Sequence, residues 1–140
     1  MSSAIIRGLI YYAIIFGLAF VAGVARTLVI APLLGATVAV LLEVPIIVAA
    51  SWVGASRLLR GRLFSNLQLV VMGGVAFLLT MLSEVVLARL LRGESVSDWA
   101  ANVATPLGLV GLAGQIAFGA MPFLIARSGA RREATSNRSQ

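Results

Sequence analysis

An all-α membrane protein, a four-transmembrane-helix bundle with both termini cytoplasmic, is the fold class that this 140-residue sequence predicts. Three observations predict it. Hydrophobic residues make up 60% of the chain and charged residues 11%, against about 45–50% and about 25% in an average soluble domain. The apolar residues form four continuous runs, not the alternating pattern of a membrane β-barrel. The arginines gather mainly at the two termini and at the middle boundary between runs.

The runs are Ala4 to Ala25, Thr27 to Gly54, Leu67 to Leu91 and Trp99 to Ala126. A bilayer core of about 30 Å needs about 20 helical residues, and each run reaches that length. The first run keeps its apolar character from Gly8 to Ala25. That exceeds the roughly 7–15 residues of a signal-peptide core, so it reads as a retained helix. The second run has 28 residues, about 42 Å of helix at 1.5 Å per residue. That is too long for a straight span. Pro32 and Gly35 lie early in it, so Thr27 to Gly35 reads as a bent or surface-lying connector and the span as 36–53. The fourth run carries Pro106 early, and Ser97, Asp98 and Thr105 offer cap-type oxygens. A short interfacial helix from about Asp98 to Ala104, then a span from Pro106, is expected. The spans are therefore about 5–25, 36–53, 67–91 and 106–126. The tail from Ser128 to Gln140 is polar and Arg-rich, and reads as a disordered cytoplasmic segment.

With four spans, both termini and the middle loop share one side. That side holds Arg7, Arg57, Arg60, Arg62, Arg127, Arg131, Arg132 and Arg138; the other holds Arg26, Arg89 and Arg92. The positive-inside rule then puts both termini in the cytoplasm. Trp52 and Trp99 suit interface anchors at opposite ends. A net charge of +6 is accounted for by these flanks, so membrane lipids are the expected partners and nucleic acid is not.

Chemistry is sparse. There is no Cys and no His, which removes disulfides, thiolate nucleophiles, the usual zinc sites and His-based acid–base schemes. No phosphate loop, nucleophile elbow or paired metal ligands appear. An enzyme, a cofactor and a metal are not expected.

The informative residues are Glu43 and Glu84, two carboxylates inside spans. Charges there are costly and face a partner or a wet cavity. Both lie about seven residues from the same end of their spans, so roughly 10 Å below the outer surface of the core. Arg26 ends the first span at that end, Arg89 lies just above Glu84, and Gln115 reaches the layer from the fourth span. A polar cluster of Arg26, Glu43, Glu84, Arg89 and Gln115 follows from topology. Small residues share its faces: Ala36, Ala39 and Ala50 with Glu43, and Gly73, Ala76, Thr80 and Ala88 with Glu84. Pro45 frees a backbone carbonyl near Leu41 in the same region. Two readings stand. The cluster is a structural network fixing helix registry, or it is a proton-titrating or cation-coordinating site.

Phe16, Gly17, Phe20, Gly23 and Arg26, then Pro32 and Gly35, then Ala39, Leu41, Glu43 and Pro45 form a pattern. It resembles that of an uncharacterised family of small four-helix bacterial inner-membrane proteins. Glu84 and Pro106 fit as well. The chain departs at Val40 and Thr105, where the family carries acidic residues. The resemblance implies a bacterial inner-membrane protein with a shared Arg/Glu/Pro core, and brings no activity; Pro32, Gly35, Pro45 and Pro106 are read separately as helix-shaping residues. The expected function is transport or permeation of a small ion or solute, proton-linked, by a homo-oligomer. The alternative is a non-catalytic accessory or assembly subunit of a larger membrane complex.

Overall fold

Inside a bilayer a backbone N–H or C=O has no water to bond, so a long apolar run satisfies itself as a helix. The computed structural model describes residues 2–61 and 63–138, with side chains described for 3–61 and 63–129. Its elements are α1 (Ser2–Ala25), a π-helical turn (Arg26–Ile30), α2 (Ala31–Leu34), α3 (Ala36–Leu59), α4 (Asn66–Arg92), α5 (Val96–Val103) and α6 (Pro106–Arg138). Four stretches, Ser3–Leu34, Ala36–Leu59, Asn66–Arg92 and Pro106–Gly129, are long and apolar enough to cross a membrane. The outward faces are apolar throughout, with Ile6, Val21, Leu28, Leu78 and Leu90 among many exposed side chains. Soluble monomers do not tolerate such a surface. The fold is an all-α four-helix bundle of the multi-pass membrane type.

Three local details depart from the sequence reading. The chain does not leave the helix at Arg26. It stays helical to Leu34 through one widened turn, in which the Ala31 N–H reaches back to the Arg26 carbonyl. Pro32 explains the widening, because its ring clashes with the Leu28 carbonyl and offers it no N–H. The break comes at Gly35, whose φ of 85° and ψ of 155° lie in a region open essentially to glycine alone. Second, the interfacial helix begins earlier than Asp98. Ser95 is its cap, accepting from the Asp98 N–H, while the Asp98 carboxylate accepts from the Ser95 N–H. Ser97 only bonds the Ser95 hydroxyl. Third, α6 continues through the polar tail to Arg138, where Ala, Arg and Glu are good helix formers. Arg62 lies outside the described residues, as do the side chains of Arg131, Arg132 and Arg138.

The other ends follow ordinary rules. Ser65 and Gln68 form a reciprocal capping box at the start of α4. Gly93, with φ of 67°, closes α4 in the left-handed conformation. The Thr105 hydroxyl accepts from the Gly108 N–H, and Pro106 opens α6.

The helices form a four-cornered ring. α1 packs on α3 and α4, and α6 packs on α3 and α4. The consecutive helices α3 and α4 therefore stand at opposite corners, as do α1 and α6. Tyr11 spans the second diagonal. Its side chain is completely buried, stacks on Phe118 at 4.6 Å, and its hydroxyl lies 3.1 Å from the Phe118 carbonyl and 3.2 Å from that of Ser51. The sequence explains why the Phe118 carbonyl takes a side-chain donor. Its normal partner would be the N–H of residue 122, which is proline. One hydroxyl proton is thus shared between α6 and α3. Around it pack Ile15, Ala55, Leu59, Leu69, Met72, Ala76 and Met121.

Close approach at the α4–α6 corner depends on Gly73, where an added Cβ would overlap the Gly119 carbonyl oxygen. Gly73→Ala should lower the melting temperature in detergent, at a cost of about 1–3 kcal/mol. Gly17→Ala should not, because nothing lies within 4 Å of a Cβ there. A double-mutant cycle tests the diagonal tie. Tyr11→Phe should cost about 0.5–2 kcal/mol. The same change should cost less in a Pro122→Ala background, where the Phe118 carbonyl regains a backbone donor.

Candidate functional site: an intramembrane polar layer

Four elements bring polar side chains to one depth. Arg26 opens the π turn above α1. Glu43 is seven residues into α3, Glu84 eight residues before the end of α4, and Gln115 nine residues into α6. At 1.5 Å per residue these depths, about 10–14 Å, agree to within a helical turn.

The layer is built as two pairs. Arg26 Nε lies 2.6 Å from Glu43 Oε2, with side-chain exposures of 37% and 17%. The contact is a close ion pair and not an aligned hydrogen bond, since Nε has no donor geometry to any acceptor. Gly23, one turn before Arg26, lies against the same carboxylate: a Cβ there would come to 3.6 Å from Glu43 Oε1, an ordinary contact. The Thr27 hydroxyl bonds the Gly23 carbonyl at 2.8 Å, a local bond of the kind that bends helices. The second pair is Gln115 donating from Nε2 to Glu84 Oε1. Both residues are half-buried. Arg26 and Glu43 lie near enough to act on Glu84 electrostatically, and the Trp99 indole approaches the same carboxylate from α5.

Arg89 does not join the layer. It follows Glu84 by five residues, which turns it about 140° round the helix, and it is exposed. Arg92 acts on Glu84 from a distance but pairs directly with Glu94, Nε to Oε1 at 2.7 Å and Nη2 to Oε2 at 2.9 Å. Among the described residues no cation is in salt-bridge contact with Glu84. Outside the spans, the Arg92 hydrogen bond holds the Glu94 carboxyl below its ordinary range, and the Ser95 hydroxyl and N–H do the same for Asp98. Both are charged at neutral pH.

The helix-shaping residues sit where they serve the layer. Pro32 and Gly35 turn the chain from Arg26 back toward Glu43. Pro45, inside α3, leaves the Leu41 carbonyl without its usual donor. Pro106 starts the helix that carries Gln115. Sequence reasoning missed Trp99 as a neighbour of Glu84, and missed Tyr12, whose hydroxyl bonds Ser83 at 2.5 Å between α1 and α4. No signal marked Tyr12 and Ser83, because their contact depends on the register of two helices.

Among the described residues no three His, Cys, Asp or Glu side chains converge to hold a metal ion. The layer holds one balanced ion pair beside one carboxylate served by a neutral amide. A proton gained or lost at Glu84 would change the charge of the layer without breaking an ion pair. No protein-family model, curated protein or solved structure matches the chain.

Arg26→Gln should destabilise the bundle by about 1–3 kcal/mol, less than a fully buried pair because the guanidinium is partly exposed. The double variant Arg26→Gln/Glu43→Gln should recover part of that loss. Chemical denaturation in mixed micelles reads both.

Proposed function

We propose that the protein is a small transport or permeation protein of a bacterial inner membrane, moving an ion or small solute in a proton-linked manner as a homo-oligomer. Both termini face the cytoplasm in this reading, supported by the arginine distribution. The observation that carries it is Glu84, a half-buried carboxylate at membrane depth whose direct partner is the neutral amide of Gln115. Intramembrane carboxylates without a fixed counter-ion are the groups that proton relays use. The Arg26–Glu43 pair beside it supplies a fixed field. The resemblance to small four-helix bacterial inner-membrane proteins supports the location.

A second reading has its own support. The Arg26–Glu43 pair ties the first helix to the third on either side of the reversal at Gly35, as a purely structural staple would. An accessory or assembly subunit of a larger membrane complex would need no more than that.

The two readings separate in one sequence of measurements. Under the transport reading the protein leaves its native membrane in mild detergent as a small multiple of 14.6 kDa. In liposomes with a dye that reports internal pH, it should then give flux that Glu84→Gln lowers at least about tenfold, with the helix content and melting temperature unchanged. Full flux in Glu84→Gln, or stoichiometric migration with a large complex, overturns transport.

A further inference from the structure

The bundle's other end carries a second polar feature. Because α3 and α4 stand at opposite corners, their connection crosses the end of the bundle diagonally. Beside it, against the last membrane turns of α6, lies a half-open cleft of about 480 Å³. That volume is in the range of small-ligand sites. Its polar lining is Arg60, Arg127, Ser56 and Asn66, and its apolar wall includes Leu59 and Ile125.

The charge around the cleft is one-sided. Arg7 stands nearby, its Cζ 5.1 Å from the centre of the Phe64 ring that also lines the cleft, and it donates to the Leu58 carbonyl. Arg127 lies over Phe123 at 4.5 Å. Four of the chain's five carboxylates, Glu43, Glu84, Glu94 and Asp98, sit at the opposite end of the bundle. Both ion pairs among the described residues lie there too. Two arginines therefore line a cleft that also has hydroxyl and amide side chains in its lining and no described carboxylate. Guanidiniums bind phosphate oxygens through forked, charge-assisted hydrogen bonds. The cleft lies where α3 ends at Leu59 and the apolar stretch of α6 ends at Gly129, and Leu63 stands fully exposed at its lip.

We propose that this cleft binds the headgroup of an anionic phospholipid, with Arg60 and Arg127 on the phosphate, Ser56 and Asn66 as neutral donors, and the acyl chains against the apolar lip. Basic pockets between membrane helices on the cytoplasmic side recognise such headgroups. The site is independent of the transport reading, since it uses none of the residues of the polar layer.

The test uses the full chain in mild detergent, with phosphatidylglycerol, phosphatidylcholine and inorganic phosphate as separate probes. Native mass spectrometry and thermal unfolding are read together. Phosphatidylglycerol should bind one to one and raise the melting temperature, and phosphatidylcholine should do neither. Arg60→Gln and Arg127→Gln should each weaken binding about fivefold. Arg57→Gln, at the same end but outside the cleft lining, should leave it unchanged. If Arg127→Gln fails to fold, Arg60→Gln against Arg57→Gln carries the comparison alone. Equal effects of the two lipids, or equal losses in Arg57→Gln and Arg60→Gln, overturn the proposal. A shift with inorganic phosphate as large as with phosphatidylglycerol also overturns it, reassigning the cleft to a free anion.

Discussion

A carbonyl deprived of its amide partner inside a bilayer has to be given a donor by the protein itself. Pro122 creates such a carbonyl on Phe118, in the middle of the last span, and the Tyr11 hydroxyl supplies the donor across the diagonal of the bundle. Much else is arranged around that requirement. Tyr11 can reach only if α1 and α6 approach closely, and α4 must fit between them. Gly73 and Gly119 allow the α4–α6 approach. The same hydroxyl lies beside the Ser51 carbonyl, so α3 is held to the same point. The apolar core gathers around this tie, in the half of the bundle nearer the N-terminus and the middle connection.

The opposite half is organised by charge. There the first helix takes one widened turn and is ended by Gly35, and both features bear on Arg26 or on the path back to Glu43. A π turn inside a helix often marks a functional position. Here it sets the register of a guanidinium against a carboxylate one helix away. The bundle thus divides into a tightly packed half and a polar half, with the tyrosine tie between the arginine-rich end and the carboxylates.

Much of this was legible from residue order. Continuous apolar runs specify helices of membrane length, and Pro32, Gly35 and Pro106 mark where the chain turns. Depth along a helix is simple arithmetic, so Glu43, Glu84 and Gln115 fall in one layer without knowledge of packing. Azimuth is harder. Arg89 is close to Glu84 in sequence and in height, yet it points elsewhere, because five residues carry it well past one face of a helix. Tyr11 and Pro122 were beyond reach for another reason. A proline announces a free carbonyl four residues earlier, but which side chain answers it depends on which helices are diagonal, and apolar periodicity does not encode that. The capping of α5 by Ser95, and not Ser97, is a shift of two residues, within the ordinary latitude of helix ends.

The ring order has a consequence for how the chain assembles. Helices emerge in sequence, and most membrane hairpins are completed by neighbours in the chain. Here α3 and α4 do not pack on each other. Before α6 begins at Pro106, α1 stands between α3 and α4 with the fourth corner empty. The arrival of α6 joins α3 and α4 on their other side and gives Tyr11 the carbonyl that completes the diagonal. The bundle therefore closes like an arch whose keystone is the last helix synthesised, and before that moment it holds three helices joined solely through the first.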